Sequence, residues 1–142
     1  MLMSPEELTD RLRREIDRRG VEDRFIDLDE ERELLQIALA FGFEPARGRA
    51  VLADVCKERG YVREQAVRQA VRAEVGKRDG APLRKREFAR LVAAAVPLLA
   101  GTGRTARDAR KLVAEEVGDA GVPVRSRWPF DWWRTATGER GA

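Results

Sequence analysis

The chain has 142 residues, of which 37% are charged and 6% aromatic, a length that fits one ordinary domain whose core needs no disulfide staples. It contains no histidine and a single cysteine, Cys56, which excludes an intrachain disulfide, a histidine-ligated metal site and the histidine-dependent catalytic triads and dyads. The net charge of +3 is uneven, because residues 1–60 carry 11 basic and 15 acidic groups whereas residues 61–142 carry 17 and 10. Any basic surface for a partner is therefore expected in the second half.

Capping residues place the first two helices. Ser4 predicts the start of the first, and Gly20 is expected to form its C-terminal cap. Asp27 with Glu30 in the capping-box position predicts the start of the second, which Gly42 ends. The acids between residues 27 and 33 suit a first helical turn, and a cation site there is the weaker interpretation because the glycine of a calcium loop is missing.

A third helix opened by Pro45 and a fourth that begins near Arg63 are joined by a short turn at Gly60. A glycine turn before an arginine-rich helix is the outline of a helix-turn-helix. The favoured interpretation is an ordinary helical hairpin with a solvated arginine edge. The alternative is a nucleic-acid-binding pair in which Arg63, Arg68 and Arg72 contact phosphates or base edges.

Residues 91–100 form a run without one polar side chain. A helix that is apolar on every face belongs inside a fold, and this run is too short to span a bilayer, which needs about 20 residues. We therefore expect a central buried helix, entered through residues 85–88, around which the other helices wrap. Pro97 should bend this helix or end it a turn early.

Glycine-rich residues 101–103 predict a connector, after which Thr105 and Asp108 cap a sixth helix. The predicted fold class is all-α: a compact bundle of five to seven short helices around the central apolar helix. One helical domain is expected over residues 1–121. Residues 122–142 are expected to form an irregular, extended aromatic and basic tail that holds all three tryptophans.

A basic cluster marks the start of the central helix: Arg84, Lys85 and Arg86, with Arg90 one turn on. Cations are unfavourable beside the positive end of a helix dipole, so their presence there indicates an acidic partner. The alternative interpretation is a polar rim that keeps a very apolar helix soluble.

The tail carries a second cluster. Tryptophan and arginine are enriched at interface hot spots, which favours a docking segment here. The alternative is that the aromatic rings fold back and cover the helices. The residues of this cluster are Arg127, Trp128, Phe130, Trp132 and Trp133.

No group of residues points to catalysis, a cofactor or a metal, because the acids lie on solvated helix faces and the usual general base is missing. We predict a non-enzymatic protein-interaction module, an adaptor or assembly subunit, that is cytoplasmic and not membrane-bound. Its partner would be another protein with an acidic surface, or a second copy of itself, and nucleic-acid binding is the alternative. The turn at residues 79–83 with Glu87 resembles, over that stretch alone, the Asp-Gly turn and acidic helix start of tellurite-resistance TerB-like domains, and no family is assigned from it.

Overall fold

The computed structural model describes residues 3–125 and 132–133. These residues contain six α-helices and one 3-10 turn at Val96–Leu99, which confirms the all-α class with five to seven helices. The elements are α1 (Pro5–Gly20), β1 (Phe25–Ile26), α2 (Leu28–Ala40), α3 (Pro45–Arg59), β2 (Val62–Arg63), α4 (Glu64–Gly76), α5 (Lys85–Ala95) and α6 (Ala106–Asp119). The chain divides early in α4 into two units, Met1–Gln65 and Ala66–Ala142, and the single domain over residues 1–121 stays a prediction.

The first unit is built from α1, α2 and α3, which pack on one another in pairs. The predicted caps are present: Ser4 accepts a bond from the Glu7 amide, and Asp27 and Glu30 form a reciprocal capping box. Gly60 ends α3 in the left-handed conformation that only glycine adopts without cost. The buried residues that form the core of this unit are Leu12, Ile16, Ile26, Leu34, Ala38, Val51, Leu52, Val55 and Cys56.

The prediction that Gly20 forms the C-terminal cap of α1 is wrong, because Gly20 lies within the helix and Val21 is the cap. Gly20 has no positive φ, and Val21 continues the right-handed backbone of α1. The glycine is needed for packing instead, because a Cβ at this position would lie 2.5 Å from Cδ2 of the Tyr61 ring. Tyr61 is held over the glycine by its hydroxyl, which donates to Asp17 Oδ1 at 2.7 Å.

Cys56 is buried in the core of the first unit, and this burial raises the pKa of its thiol from 9.0 to about 11. Because only the thiolate reacts, we expect Cys56 in the folded chain to react with Ellman's reagent at pH 8 at least about a hundredfold more slowly than in the unfolded chain. Labelling rates with and without guanidinium chloride measure this. Equal rates would show that the thiol is accessible in the folded state.

The second unit contains the apolar run, and the structure corrects its predicted burial. Pro97 ends the α-helix early, as expected, because proline lacks the amide hydrogen that would continue it. Val96–Leu99 form the 3-10 turn. Within the run, Ala95 at the end of α5 and Leu99 are buried, whereas Val96 and Leu98 are 41% and 42% exposed. The run is therefore not buried on all sides. None of the helices within the described residues is both long and apolar enough to cross a membrane.

Two backbone hydrogen bonds join the residues after α6 to Leu83, which precedes α5. The Leu83 amide donates to the Pro123 carbonyl at 2.7 Å, and the Arg125 amide donates to the Leu83 carbonyl at 2.8 Å. This parallel bridge fixes the extended backbone that follows α6 beside the residues that precede α5. The start of the predicted tail is thus bonded to its own unit.

Candidate functional site

A groove with a volume of about 530 Å³ lies on the second unit. Its floor comes from one face of α5, on which Lys85, Ala89 and Ala93 follow one another every four residues. Ala89 and Ala93 are exposed, whereas Phe88 at the base of the groove is buried. The residues that line the groove are Lys85, Phe88, Ala89, Val92, Ala93, Arg110 and Trp132.

Two indole rings of the predicted tail pack on α5. Trp132 and Trp133 each lie 5.5 Å from the Phe88 ring, centroid to centroid, and 5.7 Å from each other. The Trp132 indole also donates to the Arg125 carbonyl at 2.8 Å. Such tilted and edge-on pairs stabilise by about 0.5–1.5 kcal/mol each beyond the area they bury. Both rings are half-buried, so these two residues fold back on their own unit while Trp132 still faces the groove.

The other members of the predicted aromatic cluster, Arg127, Trp128 and Phe130, lie outside the described residues. Their role as a docking segment stays a prediction. Because the bridge at Leu83 and the packing on Phe88 both use residues beyond 121, a truncation there would disturb the unit as well as the tail.

One member of the predicted basic cluster, Lys85, belongs to the groove. No described carboxylate forms an ion pair with Arg84, Lys85, Arg86 or Arg90. Glu87 is the single acid of α5, but it is already engaged: it accepts from the Arg78 guanidinium at 3.0 Å and from the Arg84 amide at 3.3 Å. The bond from Arg78 lowers the pKa of Glu87, so this carboxylate stays ionised and neutralises Arg78.

The other carboxylates of the unit that the structure describes are also engaged, with one exception. Among the described carboxylates beyond residue 65, only that of Asp119 has no ion pair, capping bond or turn bond. Arg110, which lines the groove from α6, likewise has no ion pair among the described residues. Lys85 and Arg110, the two cations that line the groove, therefore have no ion-pair partner among the described carboxylates, which favours a positive potential there.

The three arginines of the nucleic-acid alternative are held by carboxylates. Arg63 contacts Glu31 with two bonds, at 2.8 and 3.1 Å. Arg68 and Arg72 both contact Glu116, at 3.1 and 2.7 Å. Phosphate contact would have to compete with these pairs, so no observation favours the alternative, and it stays a prediction that a salt titration of DNA or RNA binding tests.

Of the residues that line the groove, the sequence predicted Lys85 and Trp132 as site residues but not Phe88, Ala89, Val92, Ala93 and Arg110. Ala89 and Ala93 follow Lys85 at intervals of four residues, a spacing that places all three on one face of a helix. The expectation that residues 91–100 are buried on all sides kept this face from being predicted as a surface. Among the described residues, no group of three or more acidic or cysteine side chains is placed to hold a metal ion. Comparison with known proteins finds no matching family, no matching curated protein and no matching solved structure.

Proposed function

We propose that this chain is a non-enzymatic protein-interaction module, an adaptor or assembly subunit, that binds an acidic protein partner in the groove on α5. The observation that supports this most directly is an exposed apolar groove lined by Lys85 and Arg110, neither of which forms an ion pair with a described carboxylate. An apolar floor supplies affinity when it is removed from water, at about 25 cal/mol per Å². Uncompensated cations supply specificity and a faster encounter with acidic surfaces.

A displayed library of random peptides, selected on the 142-residue chain, tests the proposal. We expect the selected peptides to bind about tenfold more weakly to a chain that carries Ala89→Glu and Ala93→Glu, because both carboxylates would enter the groove and repel an acidic ligand. The variants should fold, because both alanines are exposed on the helix surface.

The matched control is Ala73→Glu, an exposed alanine of α4 outside the groove, which should leave the affinity unchanged. Dissociation constants come from fluorescence anisotropy of the labelled peptides, and circular dichroism checks the fold. Peptides that bind the double variant as tightly as the parent chain would overturn the proposed site.

A further inference from the structure

We infer that Arg84 and Arg125 form a binding site for a phosphate monoester, separate from the groove on α5. The two arginines line a cavity of about 290 Å³ that shares no lining residue with the groove. The inference therefore goes beyond the proposed function and does not depend on it. The residues that line the cavity are Ala81, Pro82, Arg84, Pro123, Val124 and Arg125.

The parallel bridge between Leu83 and Val124 places the two arginines side by side. Arg84 and Arg125 each follow a residue of the bridged pair, and the Arg125 amide donates to the Leu83 carbonyl at 2.8 Å. Neighbouring extended strands lie about 4.8 Å apart, and successive side chains alternate between the two faces. Leu83 is buried on one face, so both arginines belong to the other, in agreement with their exposure and their place in the same cavity.

No described carboxylate balances this pair. Neither arginine forms an ion pair among the described residues, and no acidic residue among them lines the cavity. Glu87 accepts from the Arg84 amide at 3.3 Å, but its other oxygen accepts from the Arg78 guanidinium at 3.0 Å. Like charges held on neighbouring strands repel each other. An anion that contacts both guanidinium groups would relieve this repulsion as well as form new hydrogen bonds.

A phosphate monoester is the anion whose chemistry suits this cavity. The planar fork of arginine binds phosphate oxygens through two parallel hydrogen bonds, and a monoester carries close to two negative charges at neutral pH, which matches two guanidinium groups. The cavity is at the small end of the range for small-molecule sites, about 300–1,000 Å³, which favours a compact ester. Pro82 and Pro123 supply a rigid apolar wall for the organic part of the ester.

Phenyl phosphate tests the site, and phenyl sulfate is its comparison because it has the same shape and one negative charge fewer. At pH 7.5 we expect the 142-residue chain to bind phenyl phosphate at least about tenfold more tightly than phenyl sulfate. Titrations followed by NMR of the phenyl protons, at constant ionic strength, measure both dissociation constants. Equal affinities, or no binding of phenyl phosphate, would overturn the inference.

Single substitutions test the arginine pair. Arg84→Gln and Arg125→Gln should each weaken phenyl phosphate about tenfold, because each leaves a single guanidinium group. The matched control is Arg86→Gln, which removes the same charge from an exposed arginine outside the cavity and should change the affinity less than about twofold. All three side chains are exposed, so the variants should fold, and circular dichroism checks this. Equal losses in the three variants, or no loss in the first two, would overturn the inference.

The double variant Ala89→Glu with Ala93→Glu separates this site from the groove. It should bind phenyl phosphate within about twofold of the parent chain, because neither alanine lines the cavity. A tenfold loss would place the ester in the groove and overturn the inference, whereas the proposed function is tested by the library peptides alone.

Two further probes distinguish the sources from which such an ester could come. Glycerol 3-phosphate represents a small metabolite, and a pentapeptide with a central phosphoserine represents a modified protein side chain. The tighter of the two identifies the source, since both present the same phosphoryl group to the arginines. Binding of neither would overturn the inference.

Discussion

Replacing Glu116 with glutamine is expected to lower the free energy of unfolding by about 3 kcal/mol. The Glu116 side chain is 4% exposed and accepts from Arg68 at 3.1 Å and from Arg72 at 2.7 Å. Arg68 is itself 13% exposed, so a neutral amide at position 116 would leave a largely buried guanidinium facing a much weaker acceptor. Urea unfolding followed by circular dichroism measures the change.

Glu115 provides the matched control, because it is the adjacent residue and also contacts Arg68, at 3.4 Å. Its side chain is 47% exposed, and we expect Glu115→Gln to change the free energy of unfolding by less than about 0.5 kcal/mol. Adding Arg68→Met to the Glu116→Gln chain should restore part of the lost stability, since it removes the largely buried guanidinium that has lost the carboxylate of Glu116. Equal small effects of the two glutamine substitutions would show that burial of Glu116 does not matter.

The second large effect is expected at Gly20, where alanine should lower the free energy of unfolding by about 2 kcal/mol. The new methyl group would enter the Tyr61 ring, and the ring would have to leave its position and give up the bond to Asp17. This result is opposite to the usual gain from replacing glycine by alanine in a helix.

Gly118 in α6 gives the comparison. A Cβ there would meet nothing within 4 Å, so Gly118→Ala should raise the free energy of unfolding by about 0.5 kcal/mol. Tyr61→Phe, which removes only the hydroxyl bond, should cost less than Gly20→Ala does. If Gly20→Ala and Gly118→Ala both stabilise the chain, the ring moves aside freely and the packing argument fails.

Local chemistry accounts for what could be predicted from the sequence. The caps at Ser4, Asp27 and Thr105 lie within three residues of the groups they bind, so a short stretch of sequence contains both partners. The end of α5 near Pro97 was predictable for the same reason, because the missing amide hydrogen of a proline removes a helical hydrogen bond within the same turn.

Contacts between distant residues could not be predicted in this way. Arg68 and Glu116 are 48 positions apart, and nothing in either neighbourhood identifies the other as its partner. The β1–β2 pair consists of two residues on each side, too few to show an alternating pattern. The prediction that residues 91–100 are buried was wrong. Hydropathy shows that these side chains are apolar, but it does not show which face of the segment neighbouring helices cover.

The half-buried indole of Trp132 makes the groove observable without any label. Its ring lines the groove and its N–H group is anchored on the Arg125 carbonyl, so a ligand that settles in the groove changes the solvent around a fixed chromophore. Occupancy should therefore shift the intrinsic emission toward shorter wavelength. In a chain with Phe at positions 128 and 133, that shift would report binding from Trp132 alone.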